Sequence, residues 1–337
     1  MRKLSAFELL VMHLVNKKSK GTVLNQSFWT DLYTTDPMKI LKRLIEDGII
    51  VEKNDYELTL SKLKNPELKE LLRNNNLKVT GNKIDLVKRV IENNLDLSDI
   101  YLAPVYLINP EYNKIFEETS FLTEFIYGHE VTLENAYKYY LTHPGKNESE
   151  IITGVYIQKL KDFMSSKEPN IIYSIRALNY NISRYFFQNK QIESGFYYLN
   201  AACVIDVLLS FNNYIMYQNY GDSILRVNIS QNDLIKYRSA LSNNQFTLTQ
   251  LEQDLHNAAK PLYYSENLKN TAVQFMIAYI QDEFIDAKPF IKVLSKPQKD
   301  IRNRYNLEVK IDKDVSNYPV DQNDEKKVKK KKRFWIF

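Results

Sequence analysis

One cysteine, eight glycines and ten prolines in 337 residues leave few positions at which this chain can be stapled or sharply turned. The lone Cys203 excludes an intrachain disulfide framework and any multi-cysteine metal site, and it fits a reducing compartment. So little Gly and Pro excludes collagen-like and Gly/Pro-rich disordered chains and argues against a turn-dense β-sandwich. Of the four histidines, His13, His129, His143 and His256, none stands at zinc-motif spacing from another His or Cys. The chain has no Gly-x-x-x-x-Gly-Lys-Ser/Thr loop, no Gly-x-Gly-x-x-Gly and no Gly-x-Ser-x-Gly elbow. It also lacks an unbroken 18-residue apolar run, so no transmembrane helix is expected. The apolar N-terminal stretch is broken by Glu8 and His13 and has no small-residue cleavage site, which argues against a secretory signal. A non-enzymatic protein is expected, with no cofactor, no metal and no small-molecule substrate.

Hydrophobic residues at 44% and charged residues at 26% are ordinary for a folded protein, and the length suggests two or three domains. The net charge of +5 hides an asymmetry. Residues 61–92 carry a net +4 and residues 326–333 a net +7, which leaves −6 on the remainder. Two local basic segments on a mildly acidic body are the main electrostatic signal.

Residues 1–60 read as a small α+β unit. Ser5 and Glu8 form a capping-box pattern, and Phe7, Leu10, Val11 and Leu14 then fall on one helical face. Asp36-Pro37 opens a second helix with Ile40, Leu41, Leu44 and Ile45 inward and Lys39, Lys42 and Arg43 elsewhere, and Gly48 closes it. Ile49-Ile50-Val51 and Tyr56-Glu57-Leu58-Thr59-Leu60 flank Asn54-Asp55 as a hairpin. Helices followed by a short hairpin resemble a winged helix, although a packing module without nucleic-acid contact has the same pattern.

Residues 61–95 carry the strongest motif. Asn65-Pro66 opens a short helix with Leu68, Leu71 and Leu72 buried, and Asn74-Asn75-Asn76 ends it. After the Thr80-Gly81 turn, Leu86, Val87, Val90 and Ile91 form the inner face of a second helix. A module this small must converge every apolar side chain on one seam. The remaining surface is basic, from Lys69, Arg73, Lys78, Lys83, Lys88 and Arg89. From Leu63 to Ile91 the stretch resembles the SAP motif, a helix–extended–helix DNA-binding module. The match rests on the leading Leu63, Glu67-Leu68-Lys69-Glu70-Leu71-Leu72, the central Leu77, Thr80-Gly81-Asn82-Lys83 and Asp85-Leu86-Val87-Lys88-Arg89. Asn76 stands where the family usually has Gly, and Asn tolerates positive φ well. The resemblance implies DNA-backbone contact by Thr80, Gly81, Asn82 and Lys83 and by exposed Lys and Arg on the second helix, a chemistry suited to phosphate. A helical pair used only for protein contacts is the alternative.

Residues 96–130 read as a small α/β connector, in which residues 101–108 are either a strand or an extended linker. Residues 131–310 read as a helical protein-interaction body. Tyr185, Ser194, Tyr198 and Ala201 resemble one tetratricopeptide-type helical hairpin, and an ordinary helical bundle fits the same residues. Asp282, Glu283 and Asp286 share a helix whose plain reading is a solvated acidic face, with a nuclease or toxin as a remote alternative. Residues 311–337 read as a disordered tail. Its Lys329, Lys330, Lys331, Lys332 and Arg333 adjoin Phe334, Trp335, Ile336 and Phe337, which suits an anionic membrane surface, a DNA arm or a solubilising end.

The expectation is therefore a mostly α-helical protein with a winged-helix-like unit (1–60), a SAP motif (61–95), a connector (96–130), a helical body (131–310) and a tail (311–337). Its expected role is that of a cytoplasmic bacterial or phage DNA-binding adaptor. Its partners are duplex DNA, bound weakly and with low sequence specificity, and an unidentified protein. The alternative is a scaffold held by the tail at the inner membrane face.

Overall fold

A computed structural model describes residues 2–97, 102–128, 130–166, 170–217, 229–282 and 288–294, with the single residues 168, 227 and 285. The tail with Lys329, Lys330, Lys331, Lys332, Arg333 and Trp335 lies outside the described residues, as do Glu283 and Asp286. The protein is mostly helical, with two strands among the described residues. The chain divides into two compact units, Met1–Lys159 and Leu160–Phe337.

In the first unit, α1 (Ala6–Val15) begins with the capping box that the sequence predicts. The Glu8 amide donates to Ser5 Oγ (3.3 Å), and the Glu8 carboxylate accepts from the Ser5 amide (2.8 Å). Glu8 is itself buried, and Arg2 and Arg43 close on its carboxylate at 2.8 and 2.6 Å. After α2 (Phe28–Asp31), α3 (Pro37–Glu46) starts where Asp36 accepts from the amides of Met38 and Lys39. It ends before Gly48, whose φ of +67° suits a residue without Cβ. The cations of α3 are compensated: Lys39 faces Asp36 and Lys42 faces Glu46, each at 3.8 Å, and Arg43 is held by Glu8.

The hairpin expected from Ile49–Val51 and Tyr56–Leu60 does not form. Ile50–Lys53 is strand β1, but Tyr56–Leu60 is helix α4. Asp55 caps α4 by accepting from the Leu58 amide, and Thr59 and Leu60 are buried. The partner of β1 comes from far along the chain. Once α5 (Asn65–Asn74) and α6 (Lys83–Glu92) have formed, β2 (Val105–Ile108) pairs antiparallel with β1, with Ile50 opposite Ile108 and Lys53 opposite Val105. Residues 17–20 line the other edge of β2. Ser19 bridges to Val105, the Lys17 amide donates to the Tyr106 carbonyl (2.7 Å), and the Tyr106 amide donates to the Lys18 carbonyl (2.9 Å). The resulting ribbon runs in the order 17–20, β2, β1, and the module of α4, α5 and α6 is inserted between its two strands.

Residues 105–125, read from sequence as part of a connector, pack with the N-terminal helices. Beyond β2, α7 (Asn113–Glu118) and the turn at Ser120–Phe125 bury Phe121, Leu122 and Phe125, and α8 (Leu133–Thr142) follows. His13 of α1 stacks on Phe116 (ring centroids 4.3 Å apart), and its Nε2 lies 3.1 Å from Thr119 Oγ1.

The chain divides within α9 (Glu148–Ser165). The second unit then comprises α10 (Ile171–Gln188), α11 (Ile192–Tyr217), α12 (Gln231–Ser242), α13 (Leu248–Ala259), α14 (Glu266–Gln281) and α15 (Lys288–Leu294). Here the absence of an unbroken apolar run is a misleading signal. Ile192–Ile215 is long and apolar enough to cross a membrane, but 78% of its apolar window is buried. It supplies Leu199, Cys203, Val204, Val207, Leu208 and Phe211 to the unit's core. Asn200 and Asp206 interrupt the apolar run and are satisfied inside. Tyr237 Oη donates to Asn200 Oδ1 (2.7 Å), Tyr180 Oη donates to Asp206 Oδ2 (2.7 Å), and Arg176 pairs with Asp206 Oδ1.

Candidate nucleic-acid interface

The inserted module has one seam. Leu60 of α4, Leu68, Leu71 and Leu72 of α5, and Leu86, Val87 and Val90 of α6 are all buried in it. Leu63, Leu77, Val79 and Ile91 pack against its edges. At its ends, Tyr56 Oη donates to the Leu95 carbonyl (3.3 Å), which ties the start of the module to its finish.

The turn that follows α5 uses asparagines where glycine is usual. Asn76 sits at φ +54°, as its place in the motif predicts. The Leu77 amide reaches back to the Leu72 carbonyl (2.8 Å), and Asn75 Nδ2 donates to the Leu71 carbonyl (2.9 Å). The next residues alternate: Leu77 and Val79 face the seam, while Lys78 and Thr80 are exposed. Gly81, at φ +124°, is required twice over, because a Cβ there would meet Asp85 Oδ2 at 2.9 Å.

Asn82 and Asp85 form a reciprocal capping box at the start of α6 (3.0 and 3.1 Å). Asp85 therefore already occupies the Asn82 amide. At this helix start the Lys83 amide and side chain and the neighbouring Thr80 hydroxyl have no hydrogen-bond partner among the described residues.

The structure sorts the basic residues singled out from sequence. Arg73 and Lys78 are exposed and Lys69 and Lys83 partly buried, and none of the four has a carboxylate within ion-pair distance among the described residues. Lys88 faces Glu92 at 3.5 Å. Arg89 is committed inward: its Nη1 donates to the Lys78 carbonyl and to the Thr80 carbonyl (3.2 Å), so it fastens the extended segment to α6.

Residues 59–94 match the SAP domain. A SAP domain is a DNA-binding module without catalytic chemistry, so this part of the chain supports nucleic-acid binding. The match begins at Thr59 and thus takes in Leu60, the α4 residue of the seam. Neither the curated proteins nor the solved structures contain a match to the chain.

Sequence reasoning missed two features of the SAP domain's surface. Ile84, in the first turn of α6, is 78% exposed beside Lys83. Lys62, just after α4, lies in the field of Lys18, Lys83 and Lys17; burial first, and then these three charges, hold its ammonium below the ordinary lysine value. Lys62 was visible in the sequence as a basic residue of the motif, but its neighbours on the 17–20 segment were not. Elsewhere among the described residues no group of three His, Cys, Asp or Glu side chains is placed to hold a metal ion.

Proposed function

We propose that this protein is a non-enzymatic DNA-binding adaptor in which the SAP domain holds the phosphate backbone of duplex DNA. The observation that carries this reading is the set of cations Lys69, Arg73, Lys78 and Lys83, uncompensated on a module that matches a DNA-binding family. Thr80, Gly81, Asn82 and Lys83 form the turn that meets the phosphate. Arg89 positions that turn, and Lys88 adds long-range attraction. Contacts of this kind position without reading bases, so binding is weak, tolerant of sequence and steeply salt-dependent.

The flanking ribbon supports a winged-helix-like reading of the N-terminal elements, with the order α1, 17–20, α2, α3, β1, β2 and the SAP domain carried at the tip between the two strands. The compensated cations of α3 speak against that helix as a DNA reader. The second unit serves protein contact. Its α10–α11 pair stacks Phe186 on Tyr198 as one tetratricopeptide-like hairpin, and Tyr173, Tyr197 and Ile235 are exposed.

Titration of a labelled duplex with the full chain at two salt concentrations, beside sedimentation with anionic liposomes, tests the proposal. The adaptor reading expects duplex binding that weakens with salt and persists after residues 326–337 are deleted. Loss of all duplex binding on that deletion refutes it and leaves the tail as the DNA arm. Liposome binding without duplex binding favours the second reading, a scaffold held at a membrane by Lys329, Lys330, Lys331, Lys332, Arg333 and Trp335. That reading rests on the juxtaposed basic and aromatic residues of the tail and places the protein peripherally on the inner membrane face rather than free in the cytoplasm.

A further inference from the structure

The ribbon delivers the SAP domain to a particular place. Lys53 of β1 and Ser19 lie on either side of Val105, and the chain leaves for α4 directly after Lys53 and returns through Pro104. The row Ser19, Val105, Lys53 is therefore the end of the ribbon from which the module emerges, and Lys17 and Lys18 sit within two residues of that row. Lys20, the next lysine on the same segment, is paired with Glu52. Lys17 and Lys18 are exposed, and neither has a carboxylate within ion-pair distance among the described residues. On the module side, Lys62 and Lys83 likewise have no carboxylate within ion-pair distance among the described residues.

Two observations place these four residues in one region: the ribbon sets Lys17 and Lys18 at the end from which the module emerges, and Lys62 of that module lies among the other three. The ammonium of Lys62 is held down by burial and then by Lys18, Lys83 and Lys17, in that order, so three lysines from two distant stretches of sequence converge on a fourth. Lys17 also ends α1 at φ +63°, a conformation that glycine or asparagine adopts at less cost. Four like charges gathered without a carboxylate repel one another, and a polyanion relieves that repulsion.

We propose that Lys17 and Lys18 of the ribbon and Lys62 and Lys83 of the SAP domain form one composite site for adjacent phosphates of a DNA strand. DNA held at the SAP turn thus continues onto the N-terminal unit. The inference rests on the SAP domain's contact with DNA and goes beyond it, because half of the site lies outside the residues that match the family. The site takes phosphates alone, so it adds affinity and orientation and no base preference.

The test uses the full chain, a labelled short duplex and fluorescence anisotropy between about 50 and 200 mM salt. The double variant Lys17→Gly with Lys18→Ala is expected to reduce the slope of log K against log salt by about one to two, and Lys62→Ala and Lys83→Ala by about one each. Lys39→Ala with Lys42→Ala, on compensated positions of α3, should leave the slope unchanged. The Lys17→Gly change should hold or raise the thermal midpoint, since glycine relieves the positive φ, so weaker binding by the double variant cannot be put down to unfolding. A lowered slope in Lys83→Ala with an unchanged slope in the Lys17/Lys18 variant overturns the composite site and leaves the SAP reading standing. An intact chain that binds no duplex at any salt concentration overturns both.

Discussion

Arg89→Ala separates a positioning role from a phosphate contact. In the structure, the Arg89 guanidinium spans from α6 to the carbonyls of Lys78 and Thr80, both of which belong to the segment that leads into the Gly81 turn. Hydrogen bonds from a charged donor contribute about 1.5–3 kcal/mol each when shielded. Here one nitrogen serves two acceptors at a partly exposed site, so their joint contribution is about 1–2 kcal/mol. Alanine should release residues 78–82 locally while the buried seam of leucines stays closed. The reporter is the Asn82 amide, bonded to Asp85 at 3.0 Å. Its hydrogen exchange should accelerate about 5- to 30-fold in Arg89→Ala, while amides in the middle of α5 are unaffected. Lys83→Ala should leave the Asn82 amide protected, because Lys83 makes no bond to the segment. Arg89→Lys should restore protection only in part, since an ammonium lacks the planar fork. Unchanged exchange at Asn82 in Arg89→Ala would refute the positioning role and return Arg89 to the phosphate surface.

Three further predictions follow from the packing. Leu86→Asp should unfold the SAP domain, because a carboxylate enters a seam of seven buried side chains, whereas Lys69→Ala should leave the circular dichroism of the chain unaltered. The first unit should lose stability in acid in two windows, read as urea midpoints against pH. Burial holds the neutral His13 down to about 4, so stability present above about 6.5 falls by roughly 3 kcal/mol as pH drops towards 4, and His13→Gln should flatten this window. Burial pushes the Glu8 carboxyl up, but Arg2 and Ser5 more than offset it and hold it at about 2. A further contribution of about 2 kcal/mol, discounted for the solvent around both arginines, should then be lost between pH 4.5 and 2 and be absent in Glu8→Gln. Asn76→Gly should change the urea midpoint of the SAP domain by less than about 1 kcal/mol in stability, because both residues accept its positive φ, and Asn76→Val should cost more.

What the sequence disclosed was local. The Ser5–Glu8 box, the Asp36–Pro37 helix start, the Gly48 stop and every inward leucine of α5 and α6 are set by neighbours three or four residues away, and the structure has them where the spacing puts them. Tyr56–Leu60 was misread because five residues with apolar side chains at 56, 58 and 60 suit a strand and a single helical turn equally. The Asp55 cap and burial of Leu60 in the SAP seam decide for the helix. The true partner of β1 begins at Val105, beyond the whole module, and no local pattern points that far. The same limit hid the second role of Arg89, whose acceptors are backbone carbonyls, and the approach of Lys17 and Lys18 to Lys62, which depends on the ribbon's register. Asn200 and Asp206 broke the apolar run of α11 for a reason that only the tertiary structure supplies, a set of hydroxyl and guanidinium donors from neighbouring helices.

Insertion of the SAP domain between β1 and β2 couples two folding events that their small sizes would otherwise leave independent. Joining the strands through about 50 unfolded residues carries a loop-closure entropy set by that length, whereas a folded module with adjacent ends behaves as a loop of about five; the difference is about 2 kcal/mol. A folded SAP domain therefore strengthens the β1–β2 pairing, and the pairing returns the same amount to the SAP domain. Any ligand that favours the folded module, duplex DNA included, also tightens the ribbon and the edge on which Ser19 is bridged. Occupancy at the tip is thereby passed to the N-terminal helices through chain connectivity, with no moving interface between them.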